Sequence, residues 1–168
     1  MKKVSLVALV LAVALVLAPS AAPAQAASLI SVGVEMHKGD SHTYFYGEVD
    51  ITPTLVGAFE YAADHPLVLS AWYGVTQGFY GEIELATAGS GQTIEVGVWR
   101  AMPLSETIEV TGWIGAKSDL GGSAVWAQGG AEVTVPLASS FALFAGADTT
   151  LLKNENSTST WVGVGLYF

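Results

Sequence analysis

The chain has 168 residues, six Lys and Arg against fifteen Asp and Glu, no cysteine, and a mean hydropathy of +0.48. That length suits a single domain, the acidic balance argues against nucleic acid as a partner, and a disulfide scaffold is excluded. A chain this acidic and this apolar needs a fold that separates the two kinds of side chain.

The opening "MKKVSLVALVLAVALVLAPSAAPAQA" has Lys2 and Lys3, an apolar run from Val4 to Ala18, and small residues ending in Ala24-Gln25-Ala26. This is the pattern of an export signal, with 1–26 removed and 27–168 forming the mature domain. The apolar run falls short of the ~20 residues of a spanning helix, and no later segment reaches that length. Without Lys2 and Lys3, the basic residues are Lys38, Arg100, Lys117 and Lys153.

Beyond Ala27 the pattern has period two and is broken by turn residues, which predicts strands. In chain order these are 29–36, 43–51, 55–62, 67–75, 79–87, 93–101, 106–116, 125–135, 141–151 and 160–168. Three connections share a proline just after a strand: "DITPTLVGAF" (50–59), "AMPLSETIEV" (101–110) and "TVPLASSFALF" (134–144). They alternate with more polar ones: "HKGDSH" (37–42), "ADHP" (63–66), "AGSGQ" (88–92), "KSDLGGS" (117–123) and "KNENSTS" (153–159). A weaker turn, "TQG", lies at 76–78. Short turns alternating with polar loops predict an all-β, up-and-down antiparallel transmembrane β-barrel of ten strands. A longer loop over 63–78 would reduce the count to eight.

Sorting by parity gives two faces. One collects Ile30, Val32, Val34, Phe45, Val49, Ile51, Leu55, Phe59, Leu67, Leu69, Ile83, Leu85, Ile94, Val96, Val98, Ile108, Val110, Ile114, Val125, Val133, Leu143, Val162, Val164 and Leu166, with Arg100 as its charge at a strand end. The other collects Glu35, Glu48, Asp50, Glu60, Glu82, Glu84, Glu95, Glu109, Glu132 and Asp148, together with Tyr44, Tyr46, Tyr80, Tyr167 and the tryptophans Trp72, Trp99, Trp113, Trp126 and Trp161. In a soluble barrel the aliphatic face turns inward and the tryptophans meet water, an apolar surface that exported soluble proteins seldom show. In a membrane barrel the aliphatic face meets lipid and the acidic face lines the lumen. Aromatic residues of the aliphatic face fall at both ends, with Tyr73, Phe79, Phe141 and Phe168 near the short turns and Phe45 and Tyr61 near the loops, as two interfacial girdles require. Outer-membrane lipid is then the surrounding partner.

The signal, the proline-led turns, and a final strand with Val162, Val164 and Leu166 at alternate places before Phe168 resemble bacterial small outer-membrane β-barrel proteins. The resemblance implies export to the bacterial outer membrane, and recognition of the final strand by the barrel-assembly machinery. It marks location and fold rather than activity. Tryptophans in such barrels usually occupy the outer girdles, whereas parity turns all five inward here.

With the carboxylates inside and neither lysine nor arginine beside them, full ionisation in a narrow lumen is costly. Glu84 and Glu95 are expected to face each other across the 88–92 loop. The lumen is then either a cation-attracting passage or a plug, and ten strands enclose little more than side chains, which favours the plug. His37, Asp40, His42, Asp64 and His65 lie in two loops expected on the same rim. Imidazole and carboxylate suit a zinc-like ion, but their spacing matches no ligand motif, so neither metal nor cofactor is expected. Ser41 between Asp40 and His42 has the residue types of nucleophilic catalysis without triad spacing. The sequence therefore predicts a monomeric, non-enzymatic membrane barrel, with a soluble barrel binding an apolar ligand and a rim-active membrane hydrolase as rivals.

Overall fold

A computed structural model describes residues 28–63, 65–75, 78–86, 92–120, 124–151 and 156–168. The expected signal segment, Asp64, Lys153 and most of "AGSGQ" lie outside the described residues. Ten strands form: β1 (Leu29–His37), β2 (Asp40–Thr52), β3 (Leu55–Ala62), β4 (Val68–Val75), β5 (Phe79–Ala86), β6 (Gln92–Ser105), β7 (Ile108–Asp119), β8 (Val125–Ala138), β9 (Phe141–Leu151) and β10 (Ser157–Tyr167). Each pairs antiparallel with its chain neighbours, and β1 closes on β10, with Val32 opposite Val164 and Glu35 opposite Trp161. The sheet is a closed barrel, and because both β4 and β5 form, the count is ten rather than eight.

Large apolar side chains occupy the outer surface. Ile30, Val96, Val162, Val164 and Leu166 are all more than a third exposed, as are the six girdle aromatics Phe45, Tyr61, Tyr73, Phe79, Phe141 and Phe168. The buried side chains, among them Tyr44, Val56, Glu95, Lys117, Trp126 and Phe144, belong to the opposite parity. Val110 and Thr149 depart from this sorting, being buried although they share the outer parity, and the Thr149 hydroxyl donates to Ser157 O at 3.0 Å.

The proline connections differ in detail from the predicted form. Pro103 and Pro136 lie within β6 and β8, and the register shifts directly after each, between Pro103 and Ser105 and between Pro136 and Ala138. A third shift lies between Asp50 and Thr52, just ahead of Pro53. A bulge disrupts the ladder locally, so proline's missing N–H is tolerated there without ending the strand. Hydroxyls then serve the turns: Thr52 Oγ1 accepts from Leu55 N–H at 3.1 Å, and Ser105 Oγ accepts from Thr107 N–H at 3.2 Å.

The first polar loop is tighter than predicted. His37 pairs with Asp40 across a two-residue turn in which Lys38 (φ 52°) and Gly39 (φ 98°) both take left-handed backbone. This hairpin geometry matches the strand twist, and Gly39 adopts it without a Cβ penalty. Asp40 and His42 therefore lie in β2 rather than in a loop.

Two further expectations change. Arg100 lies inside β6, opposite Gly112, rather than at a strand end, because β6 continues through the Pro103 bulge to Ser105. β7 continues past residue 116 to Asp119, which brings Lys117 onto the inward parity opposite Glu95. The lumen thus holds a lysine where none was expected.

Candidate functional site: the barrel interior and its loop-side rim

The interior is layered from its short-turn end to its loops. At the short-turn end Leu29, Ala142 and Phe144 are buried, with Tyr46 and Tyr167 packed against them. Phe144 and Tyr167 form a tilted ring pair with centroids 6.1 Å apart. Nearby, Tyr46 Oη donates to Glu48 at 2.8 Å. Asp50 is exposed beside the β2 bulge, and Glu109 lies in register with Pro103 and Thr134.

Higher in the barrel, Trp161 Nε1 donates to Glu132 at 2.8 Å, and the Trp113 and Trp161 rings lie 6.1 Å apart. The Trp161 ring covers Gly146 on β9, where an added Cβ would collide with it. Trp126 is buried, the Trp99 Nε1 is buried, and Trp72 stands in register between Val56 and Glu82. Trp161→Phe would leave the Glu132 carboxylate without its donor. The expected loss is about 1–3 kcal/mol of stability, measured by urea titration of the barrel folded in detergent.

The acidic cluster is organised around Lys117. Its ammonium lies 2.5 Å from Glu84 Oε2 and 3.9 Å from Glu95 Oε2. Tyr80 Oη donates to Glu95, and Thr93 Oγ1 donates to Glu84 at 2.8 Å. Glu95 is 3 % exposed and Lys117 8 %, so this is a buried pair with satisfied partners. Glu84 and Glu95 do not face each other as expected. Glu84 is opposite Thr93, and Glu95 is opposite Glu82. The two registers differ by two residues, a slip that keeps every side chain on its own face and is invisible to alternation.

At the loop-side rim, Glu35, His37, Asp40, His42, Glu60 and His65 line one cavity of about 290 Å³. His42 Nε2 donates to Glu35 Oε2 at 3.1 Å, and the His42 and His65 ring centroids are 4.3 Å apart. His37 Nδ1 is 2.8 Å from Ser159 Oγ, and Asp148 accepts from Ser159 N–H at 3.4 Å. The two histidine-bearing connections are adjacent, as the sequence predicts. Among the described residues, no three His, Asp or Glu side chains stand in metal-ligand geometry.

Sequence reasoning missed Lys117 and the apolar floor. Parity carried one step past residue 116 finds the first, and the position of Phe144 beside outward Leu143 finds the second.

No family model and no curated protein matches the sequence. Among solved structures, the translocator domain of autotransporter NalP from Neisseria meningitidis is 10 % identical, with 99 % of this chain and 95 % of that one covered and a TM-score of 0.52. The KdgM porin, solved in complex with disordered oligogalacturonate, is 8 % identical over 83 % of this chain and 99 % of its own, with a TM-score of 0.49. The N-terminal β-barrel domain of Pseudomonas aeruginosa OprF is 11 % identical over 86 % and 98 %, with a TM-score of 0.46. At these identities the likeness is one of fold: this chain has the closed antiparallel barrel found in bacterial outer-membrane proteins.

Proposed function

We propose that the chain is a monomeric bacterial outer-membrane barrel, exported by a cleaved signal, with a closed acidic lumen and a structural rather than catalytic role. The observation that carries this reading is the inverted sorting of side chains. Exposed aliphatics bounded by aromatic residues at both ends surround an interior holding the Glu84–Lys117–Glu95 group. In water such a surface would drive association, whereas in a bilayer it meets acyl chains and leaves no open sheet edge in hydrocarbon. The apolar floor at one end and the ion-paired network nearer the other support a plug, and a barrel of this size leaves little room between them.

Two measurements test the reading. The folded protein is expected to co-fractionate with outer membranes, resist carbonate extraction and migrate faster unheated than heated on a detergent gel. A protein that stays dissolved and compact without amphiphile overturns the membrane reading. In planar bilayers that demonstrably contain folded protein, no stepwise conductance is expected. Cation-selective steps abolished by Glu84→Gln with Glu95→Gln would favour the passage reading instead.

A further inference from the structure

The rim cavity lies at the loop end of the barrel and shares Glu35 and Glu60 with the inward acidic face. The three histidines of the chain, His37, His42 and His65, all line it. They come from β1, β2 and the connection after β3: the tight β1–β2 hairpin brings His37 and His42 together, and the β2–β3 pairing sets His65 beside them. Carboxylates of Asp40 and Glu60 line the same cavity.

Two of the rings are already held at one nitrogen. The Glu35 carboxylate accepts from His42 Nε2, which fixes the proton there and gives Nδ1 the lone-pair role. His37 Nδ1 is held at 2.8 Å by the Ser159 hydroxyl, which leaves its Nε2 as the nitrogen open to the cavity. A carboxylate or hydroxyl on one ring nitrogen, orienting the other, is the usual support of a metal-bound imidazole.

We propose that His37, His42 and His65, completed by a carboxylate of Asp40 or Glu60, form a rim site for a borderline divalent cation of the zinc class. Glu35 acts as the positioning residue for His42. Imidazole donors select ions of this class over calcium and magnesium, which take oxygen ligands. Two imidazoles on one ion with Zn–N of about 2.1 Å place their ring centroids about 5 Å apart. His42 and His65 stand at 4.3 Å with their planes 39° apart, so both rings must turn as well as separate before their in-plane lone pairs meet on one ion. Among the described residues no three of these groups stand in ligand geometry, so side-chain rotation must accompany cation binding.

The test is calorimetric titration of zinc chloride into the folded barrel in detergent, made without a polyhistidine tag, with calcium chloride as the parallel titrant. One zinc per barrel is expected, with calcium binding at least a hundred-fold weaker. His42→Asn and His65→Asn should each weaken zinc binding by more than ten-fold, and Glu35→Gln by about 10–100-fold. Cobalt(II) at the same site should give the visible absorption of a tetrahedral ion in the parent, lost in His42→Asn. Heat-dependent gel mobility verifies that each variant is folded. Absence of zinc binding overturns the proposal, as does binding unchanged in a folded His42→Asn, His65→Asn double variant, or calcium binding as tight as zinc.

Discussion

Lys117→Met is expected to lower the stability of the barrel by about 3–5 kcal/mol, because removing one partner of a buried ion pair leaves the other uncompensated. The lysine is 8 % exposed and Glu95 3 %, so water does little to relieve the remaining carboxylates. Tyr80 and Thr93 would still donate to Glu95 and Glu84, which keeps the loss within that range and not beyond it. The measurement is urea unfolding in detergent micelles or thin bilayers, with parent and variant compared at the same lipid composition. Adding Glu84→Gln and Glu95→Gln to Lys117→Met should restore most of the loss, since replacing a whole buried ionic group is close to neutral. A Lys117→Met barrel as stable as the parent would mean that the ammonium is not held inside.

Ile83→Arg should be nearly as damaging for a different reason. Ile83 lies at the middle of β5 and is 45 % exposed on the outer face. At the depth of acyl chains an arginine costs about 2–4 kcal/mol. On a surface facing water the same change is worth within about 0.5 kcal/mol. Comparing Ile83→Arg with Phe168→Arg, at the short-turn end of the wall, separates the two cases: depth-dependent loss marks a bilayer, and two small, equal effects mark an aqueous surface.

Much of the fold was legible because the strand signal is local. Val162, Val164 and Leu166 alternate with Trp161, Gly163 and Gly165, and nothing beyond that stretch is needed to assign its two faces. Strand ends were less legible. Residue 117 reads as the start of a polar loop because it is charged, yet β7 runs on and its lysine finds Glu84 and Glu95 inside. Pro103 and Pro136 read as stops, yet bulges let β6 and β8 pass through them.

Pairing was the hardest to read. The alternation of β5 and β6 fits Glu84 opposite Glu95 as well as Glu84 opposite Thr93, and the register of the folded sheet is the second. The rim was partly legible: the adjacency of two histidine-bearing connections followed from strand order. The Glu35–His42 bond and the inclusion of Glu35 and Glu60 depend on the register of β1, β2 and β3.

The β1–β10 seam has a kinetic consequence. Every other pairing joins neighbours in the chain and can form as a hairpin, whereas Leu29 opposite Tyr167 and His37 opposite Ser159 unite the two extremes of the domain. Contacts so remote in sequence carry the largest loop-closure entropy and are expected to form last. Until they do, β1 and β10 present two unpaired edges on an otherwise assembled sheet, a species prone to join its own kind. Spontaneous refolding from urea should therefore be slow and concentration-sensitive, and its yield should rise most with whatever shields those two edges.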